Sequence, residues 1–188
     1  MFFNIIFSLG IVFLLKSILY LNIDTSEDST LEFLQAVLLI IATIVYIFIA
    51  IKAKSIVFKV TSYGFALLFF SFAIRELDVE KFMLPDIVRF LLGTEGKKYT
   101  MVFLWSAWLL SYFLFVKNKI NVFISFLKTK EASLLIVSLV LLVSAQIMDK
   151  NIFHLQNNLN RYFEEFWELI AYIYILFASL TRLKLTKK

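Results

Sequence analysis

The sequence predicts an all-helical, polytopic integral membrane protein: one domain, residues 1–188, in which six transmembrane helices form a bundle with short loops. Three observations predict this fold class. Hydrophobic residues make up 61% of the chain, against about 45–50% in soluble domains. Gly and Pro number only 4 and 1, too few for the turns of a sandwich or barrel. The apolar runs are continuous, and in hydrocarbon only a helix satisfies its backbone hydrogen bonds within one such run.

Composition excludes several classes of site. The chain has no Cys and one His, His154, which excludes disulfides, thiolate catalysis, Cys-based metal centres and a bis-His haem. The formal net charge of +5 is too small and too scattered to indicate a nucleic-acid partner. We therefore expect membrane lipid as the main partner, with a homo-oligomer or a membrane partner subunit as further options.

Six apolar runs approach the roughly 20 residues that a span needs. They cover residues 2–22, 31–51, 56–74, 100–116, 132–148 and 164–180. The first is predicted to be a retained helix rather than a signal peptide, because no basic residue precedes it and no small-residue cleavage site follows. Residues 82–92, around the only proline, favour a short interfacial helix or lid. Residues 120–127 favour either an interfacial helical turn or an extension of the fourth span, and four or five spans are the alternative count.

The charges are distributed unequally between the two sides that six spans define. Residues 52–59, 117–131 and 182–188 share one side, which holds eleven of the 19 Lys and Arg residues and one of the 14 acids, Glu131. Residues 22–32, 75–98 and 149–168 share the other side, with seven cations and thirteen acids. The positive-inside rule makes the first side cytoplasmic. The sequence thus predicts a multi-pass protein of the inner or plasma membrane with both termini in the cytoplasm.

Acidic and other polar residues collect at one level on the outer side. Glu32 and Gln35 are three residues apart at the start of the second span and share a helix face. Lys16 lies about 22 Å along the first helix, near the same level. Ionisable residues in spans usually face a partner or a watery cavity. The predicted ligand-binding residues are Lys16, Glu32, Gln35, Arg75, Glu76, Asp78, Glu164, Glu165 and Glu168.

This polar cluster has two interpretations. In the functional one it lines an outward-facing cavity, where Glu165, Glu168 or His154 is the candidate general acid or base, or where carboxylates hold a hard cation such as Ca²⁺, Mg²⁺ or Mn²⁺. In the structural one, Arg75 and Lys16 neutralise acids and lock four spans together. Acids at helix N-termini are also ordinary complements of the helix dipole.

Three functions follow as hypotheses, and the sequence leaves open whether the chain is an enzyme. The first is a binding or transport protein for a small or amphiphilic ligand or a cation. In size and span number the chain resembles the substrate-binding subunits of energy-coupling vitamin importers, which open outward, although their Ala-x-x-x-Ala motif is absent from the first span. The second is an enzyme acting on a lipid or lipid-linked substrate at the outer leaflet, with Arg75 holding a phosphate or carboxylate. The third is an accessory or oligomeric subunit.

Overall fold

The computed structural model describes residues 30–77, 79, 85–94, 96–150 and 157–185. All the regular secondary structure of these residues is helical. The helices are α1 (Thr30–Lys52), α2 (Ile56–Glu76), α3 (Asp86–Leu92), α4 (Lys97–Phe115), α5 (Lys119–Leu127), α6 (Lys130–Asp149) and α7 (Asn157–Leu185). The predicted all-helical fold class is confirmed over these ranges.

Four helices are long and apolar enough to cross a membrane. They contain the candidate spans Leu31–Lys52, Ile56–Glu76, Lys130–Asp149 and Phe163–Lys184. Helix α4 is long and apolar enough only when it is taken together with α5, and the chain bends by 105° between these two helices. By length and composition the described residues therefore hold four spans, or five if the bent pair is one. The predicted span at residues 2–22 lies outside the described residues, so six spans stay a prediction.

Both short apolar stretches form separate helices. Helix α3 begins after Pro85, whose φ of −52° suits a helix start. Helix α5 covers the stretch predicted as an interfacial turn or as an extension of the fourth span. Asn118 precedes α5 with a φ of 52°, in the left-handed region that Asn tolerates better than most residues. Residues 116–118 separate α5 from α4 and make α5 a distinct helix.

Alanines bring the long helices close together. Helix α1 packs between α2 and α7, α6 packs along α7, and α4 packs on the far side of α2. Ala42, Ala73, Ala145, Ala171 and Ala178 are all fully buried. Small side chains at helix interfaces let backbones approach closely. Larger residues, among them Leu39, Tyr46, Phe69 and Ile175, fill the core around them.

Charge separates to the two ends of this bundle. Helices α1 and α7 start at the same end, where α2 and α6 finish, since Gln35 near the start of α1 bonds Glu165 near the start of α7. We call this the acidic end, because Glu32, Glu76, Asp149 and Glu164 lie there. At the other end, the basic end, lie Lys52, Lys54, Lys130 and Arg182. Over the described residues this grouping follows the segments that the sequence assigned to opposite sides, and the membrane orientation itself stays a prediction.

A buried ion pair lies at the basic end. The Arg182 Nη1 atom is 2.9 Å from Glu131 Oε1, and the two side chains are only 3% and 2% exposed. The Tyr46 hydroxyl donates to the same carboxylate oxygen at 2.7 Å. The sequence interpretation counted both charged residues in segments that flank the spans, and their position relative to the helices differs from this; the side of the membrane stays a prediction. Helix α6 already begins at Lys130, and α7 continues to Leu185, so each charge lies inside a helix.

The surroundings of Arg182 satisfy the whole guanidinium group. Nε donates to Ser62 Oγ at 3.1 Å and Nη2 donates to Thr61 Oγ1 at 2.8 Å. Nη2 also lies 3.5 Å from the Phe58 carbonyl oxygen, and the ring of Phe58 faces the guanidinium at 4.1 Å. A buried charge is tolerated when its partner and its remaining donors are satisfied in this way. The pair joins α7, α6 and α2.

Removing one member of this pair is expected to destabilise the protein strongly. Arg182→Met leaves the Glu131 carboxylate buried without its counter-charge, which should cost about 3–5 kcal/mol of unfolding free energy. Replacing both residues, as in Arg182→Met with Glu131→Met, should cost clearly less than Arg182→Met alone. Denaturant unfolding in mild detergent measures both values. Equal destabilisation by the single and double variants would show that the pair is not coupled.

Helix α4 rests on α2 at a glycine. A Cβ atom added to Gly64 would lie 2.5 Å from the indole ring of Trp108, closer than any normal contact. The indole therefore lies directly on the α2 backbone, and its Nε1 atom donates to the Val60 carbonyl oxygen at 2.9 Å. Gly64 is required here for its lack of a side chain.

Gly64→Ala should displace the indole, remove its hydrogen bond and lower the unfolding free energy by about 1–3 kcal/mol. In a Trp108→Leu background the same substitution should cost much less, because the smaller side chain leaves room for the methyl group. A double-mutant cycle of thermal or denaturant unfolding checks this coupling. Additive effects would mean that the contact does not limit the helix spacing.

Candidate functional site

The structure brings the described members of the predicted site together at the acidic end. A cavity of about 600 Å³ opens there, and we call it the acidic cavity. Of the predicted residues, its walls include Glu32, Arg75, Glu76, Glu164, Glu165 and Glu168. Gln35 lies behind the wall, fully buried. Lys16, Asp78 and His154 lie outside the described residues. The role of all these residues in binding or catalysis stays a prediction.

Arg75 is the centre of the polar network in this cavity. Its Nη2 atom is 2.6 Å from Glu76 Oε1 and 2.7 Å from Glu168 Oε1. The Tyr172 hydroxyl accepts from Arg75 at 3.0 Å and donates to Glu76 at 2.8 Å. Both carboxylates are nearly buried, whereas the Arg75 side chain is 47% exposed. The network joins the end of α2 to α7, as the structural interpretation expected of Arg75.

A second, more deeply buried contact joins α1 to α7. The Gln35 Nε2 atom donates to Glu165 Oε2 at 2.9 Å and to the Glu165 carbonyl oxygen at 3.0 Å. In the part of the chain that the structure describes, Gln35 Oε1 is buried without a hydrogen-bond partner. A buried acceptor of this kind costs free energy until a donor reaches it. Nearby, Arg161 approaches Glu32 at 3.8 Å, which is a looser ion pair.

The charges on the cavity wall do not balance. Six carboxylic residues line it against two arginines, Arg75 and Arg161. Since Arg75 is shared between Glu76 and Glu168, it leaves little compensation for Glu164, Glu165 and Asp149. The wall is therefore formally negative, and it favours positively charged groups.

An apolar groove continues from this cavity. It has a volume of about 400 Å³ and runs between α2, α6 and α7, where Phe72, Leu139, Leu142 and Val143 line it. The groove and the acidic cavity share three wall residues, Arg75, Gln146 and Glu168. A molecule with a polar head and an apolar tail can therefore contact both spaces at once.

The set of predicted ligand-binding residues does not include several residues of the site. Besides the predicted residues, the cavity wall includes Gln146, Asp149, Asn160 and Arg161, and Tyr172 joins the network. Tyr172 follows Glu168 by four residues, a spacing that places both on one helix face, so periodicity could have indicated it. Gln146 and Asp149 lie at the end of the predicted fifth span, three residues apart, and the same rule applies to them.

The acids are not arranged as a metal site in the described residues. Among these residues, no group of three or more Asp, Glu or His side chains is placed so that it could hold a metal ion. The carboxylates instead bond to Arg75, Tyr172 and Gln35. The geometry thus gives the hard-cation hypothesis no support from this part of the chain.

No protein-family model, no curated protein and no solved structure shows significant similarity to this chain.

The Arg75 network should contribute measurably to stability. Arg75→Gln leaves two nearly buried carboxylates close together, and we expect a loss of about 1–3 kcal/mol in unfolding free energy. Glu168→Gln added to Arg75→Gln should restore part of this loss by removing one carboxylate. Arg161→Gln is the matched control, because its ion pair is looser and should contribute at most about 1 kcal/mol. Equal losses from both arginine variants would contradict the assignment of Arg75 as the central residue.

Proposed function

We propose that this chain is a multi-pass membrane protein whose acidic cavity binds a small amphiphile with a positively charged head group. This proposal rests on one observation: a charged cavity adjoins an apolar groove. A formally negative cavity and an apolar groove share Arg75, Gln146 and Glu168. Ligand sites commonly combine an apolar wall with a few polar groups that orient the ligand.

The orientation in the membrane is part of the same proposal. The described cations of residues 52–59, 117–130 and 182–184 lie at the basic end, which the positive-inside rule makes cytoplasmic. The acidic cavity then opens to the outside of an inner or plasma membrane. The span at residues 2–22 brings the count to six, with the bent α4–α5 pair as one span, and puts both termini in the cytoplasm.

The head group of the ligand would lie among carboxylates that are not engaged by Arg75. Glu164 and Asp149 line the cavity from two different helices, α7 and α6. A primary or quaternary ammonium group fits this charge. The tail would lie in the groove against Phe72 and Leu142, which belong to α2 and α6.

The enzyme hypothesis uses the same residues and receives less support from their contacts. It requires Arg75 to hold a phosphate or carboxylate of the substrate, yet the Nε and Nη2 donors of Arg75 contact Glu76, Glu168 and Tyr172. Its candidate base, Glu168, accepts from Arg75. A substrate would have to compete with these groups for Nε and Nη2. A binding role needs no such competition.

Thermal stabilisation by short alkylammonium ions tests the proposal. Octyltrimethylammonium below its micelle concentration should stabilise the purified protein more than tetramethylammonium, which lacks a tail, and more than octanol, which lacks a charge. Glu164→Gln with Asp149→Asn should weaken binding about 3- to 30-fold, as expected for two partly exposed charge contacts. Leu142→Ala should reduce the advantage of the octyl chain.

Asp86→Asn is the matched control, because this exposed acid lies on α3 outside the cavity. It should leave binding unchanged. If octyl sulfate stabilises the protein as well as the ammonium ion does, or if the control weakens binding as much as the double variant, the cavity is not a cation-selective site.

A further inference from the structure

A second and larger cavity lies at the basic end of the bundle. Its volume is about 880 Å³, within the range of about 300–1,000 Å³ that is usual for small-molecule sites. Helices α2, α4 and α5 form most of its wall, and Arg182 of α7 and Glu131 of α6 close its inner side. It shares no wall residue with the acidic cavity. We call it the aromatic cavity, because rings from all three helices line it.

The rings are held in place by contacts within the protein. Trp105 and Trp108 meet edge to face with their centroids 5.5 Å apart, and Tyr112 lies 5.5 Å from Trp108. The indole N–H of Trp108 donates to Val60, and that of Trp105 donates to Ser71 at 3.2 Å. Since both indole donors are already bonded, these tryptophans present an apolar surface to the cavity. Phe65 and Phe126, 5.4 Å apart, extend this surface.

The charged groups of the cavity are of two kinds. Arg182 and Glu131 neutralise each other, and the Arg182 donors are used by Glu131, Ser62, Thr61 and the Phe58 carbonyl. Lys52 and Lys54 also line the cavity, and both are exposed. The lysines therefore supply the uncompensated charge of the cavity, which is positive and lies at its solvent side. An apolar interior with cations at the entrance complements an amphiphile with an anionic head.

We propose that the aromatic cavity binds a single-chain anionic amphiphile of the fatty-acid class. The carboxylate lies at Lys52 and Lys54, and the acyl chain packs between the rings of α2, α4 and α5. The Arg182–Glu131 pair closes the inner side of the cavity and does not bind the head group. This site is independent of the acidic cavity, so either proposal can fail without the other.

Tryptophan fluorescence gives a direct test, because Trp105 and Trp108 line the cavity whereas the third tryptophan, Trp167, belongs to α7. A Trp167→Phe protein reconstituted in phosphatidylcholine vesicles is titrated with a dibrominated stearate, whose bromines quench indoles only at contact. The corresponding dibrominated alcohol is the uncharged probe. Saturable quenching by the stearate at lower mole fraction than by the alcohol is the expected result.

Lys52→Gln with Lys54→Gln should weaken stearate binding roughly 30-fold, given about 1 kcal/mol for each lysine near an anionic head group. The binding of the alcohol should not change. The matched control is Lys117→Gln with Lys128→Gln, which removes the same charge from two exposed lysines that do not line the cavity.

Two results would overturn the proposal. Equal quenching by stearate and alcohol would mean that the cavity does not select an anionic head. Equal weakening by both lysine pairs would mean that the stearate is attracted by the general charge of the basic end. Native mass spectrometry from mild detergent provides a second measurement: one bound stearate per chain, lost in the Lys52 and Lys54 variant, is expected, and a distribution of many adducts argues against a defined site.

Discussion

The bundle depends on two arginines that bridge a gap between helices. Helix α1 lies between α2 and α7, so α2 makes little direct backbone contact with α6 or α7 in the described residues. Arg75 reaches from α2 to Glu168 of α7 at the acidic end. Arg182 reaches from α7 to Ser62 and Thr61 of α2 at the basic end. Long side chains with several donors replace the helix contact that the backbones do not make.

The same gap leaves open space between the helices. Directly packed helices would have filled it with interdigitating side chains. Across this gap α2 and α6 enclose the apolar groove, and the acidic cavity adjoins the groove at Arg75, Gln146 and Glu168. The aromatic cavity lies elsewhere, mostly between α2, α4 and α5. The structural and functional interpretations of the polar cluster are therefore compatible. The residues that lock the helices together also form the walls of the space between them.

Much of this architecture could be predicted from hydrophobicity alone. The long apolar runs after residue 30 correspond to α1, α2, α4, α6 and α7, and the gathering of acids at one end followed from counting charges between runs. Helix ends could not be placed as well. Glu131 and Arg182 lie at the limits of their runs, where a hydropathy pattern cannot separate a loop charge from a buried one. Their pairing joins residues 51 positions apart, which no local pattern indicates.

The aromatic cavity could not be predicted from the sequence either. Hydropathy does not assign its rings to a cavity, because a ring has the same hydropathy whether it faces lipid, core or cavity. Trp108 differs from the other rings because it packs directly on Gly64. This contact depends on how α2 and α4 are rotated relative to each other. Single-sequence periodicity does not determine that rotation when helices are apolar on most sides.

The break between α4 and α5, which contains the left-handed Asn118, divides a segment that is too long for a single span. Continued as one straight helix, residues 97–127 would extend about 46 Å, well beyond the hydrocarbon of a bilayer, which is about 30 Å thick. The chain bends by 105° between α4 and α5, across residues 116–118, and this turns α5 away from the direction of α4. Lys117, Lys119, Lys128 and Lys130 flank the turned segment. Under the membrane orientation proposed above, α4 alone is left to cross the hydrocarbon, and α5 points away from the crossing direction.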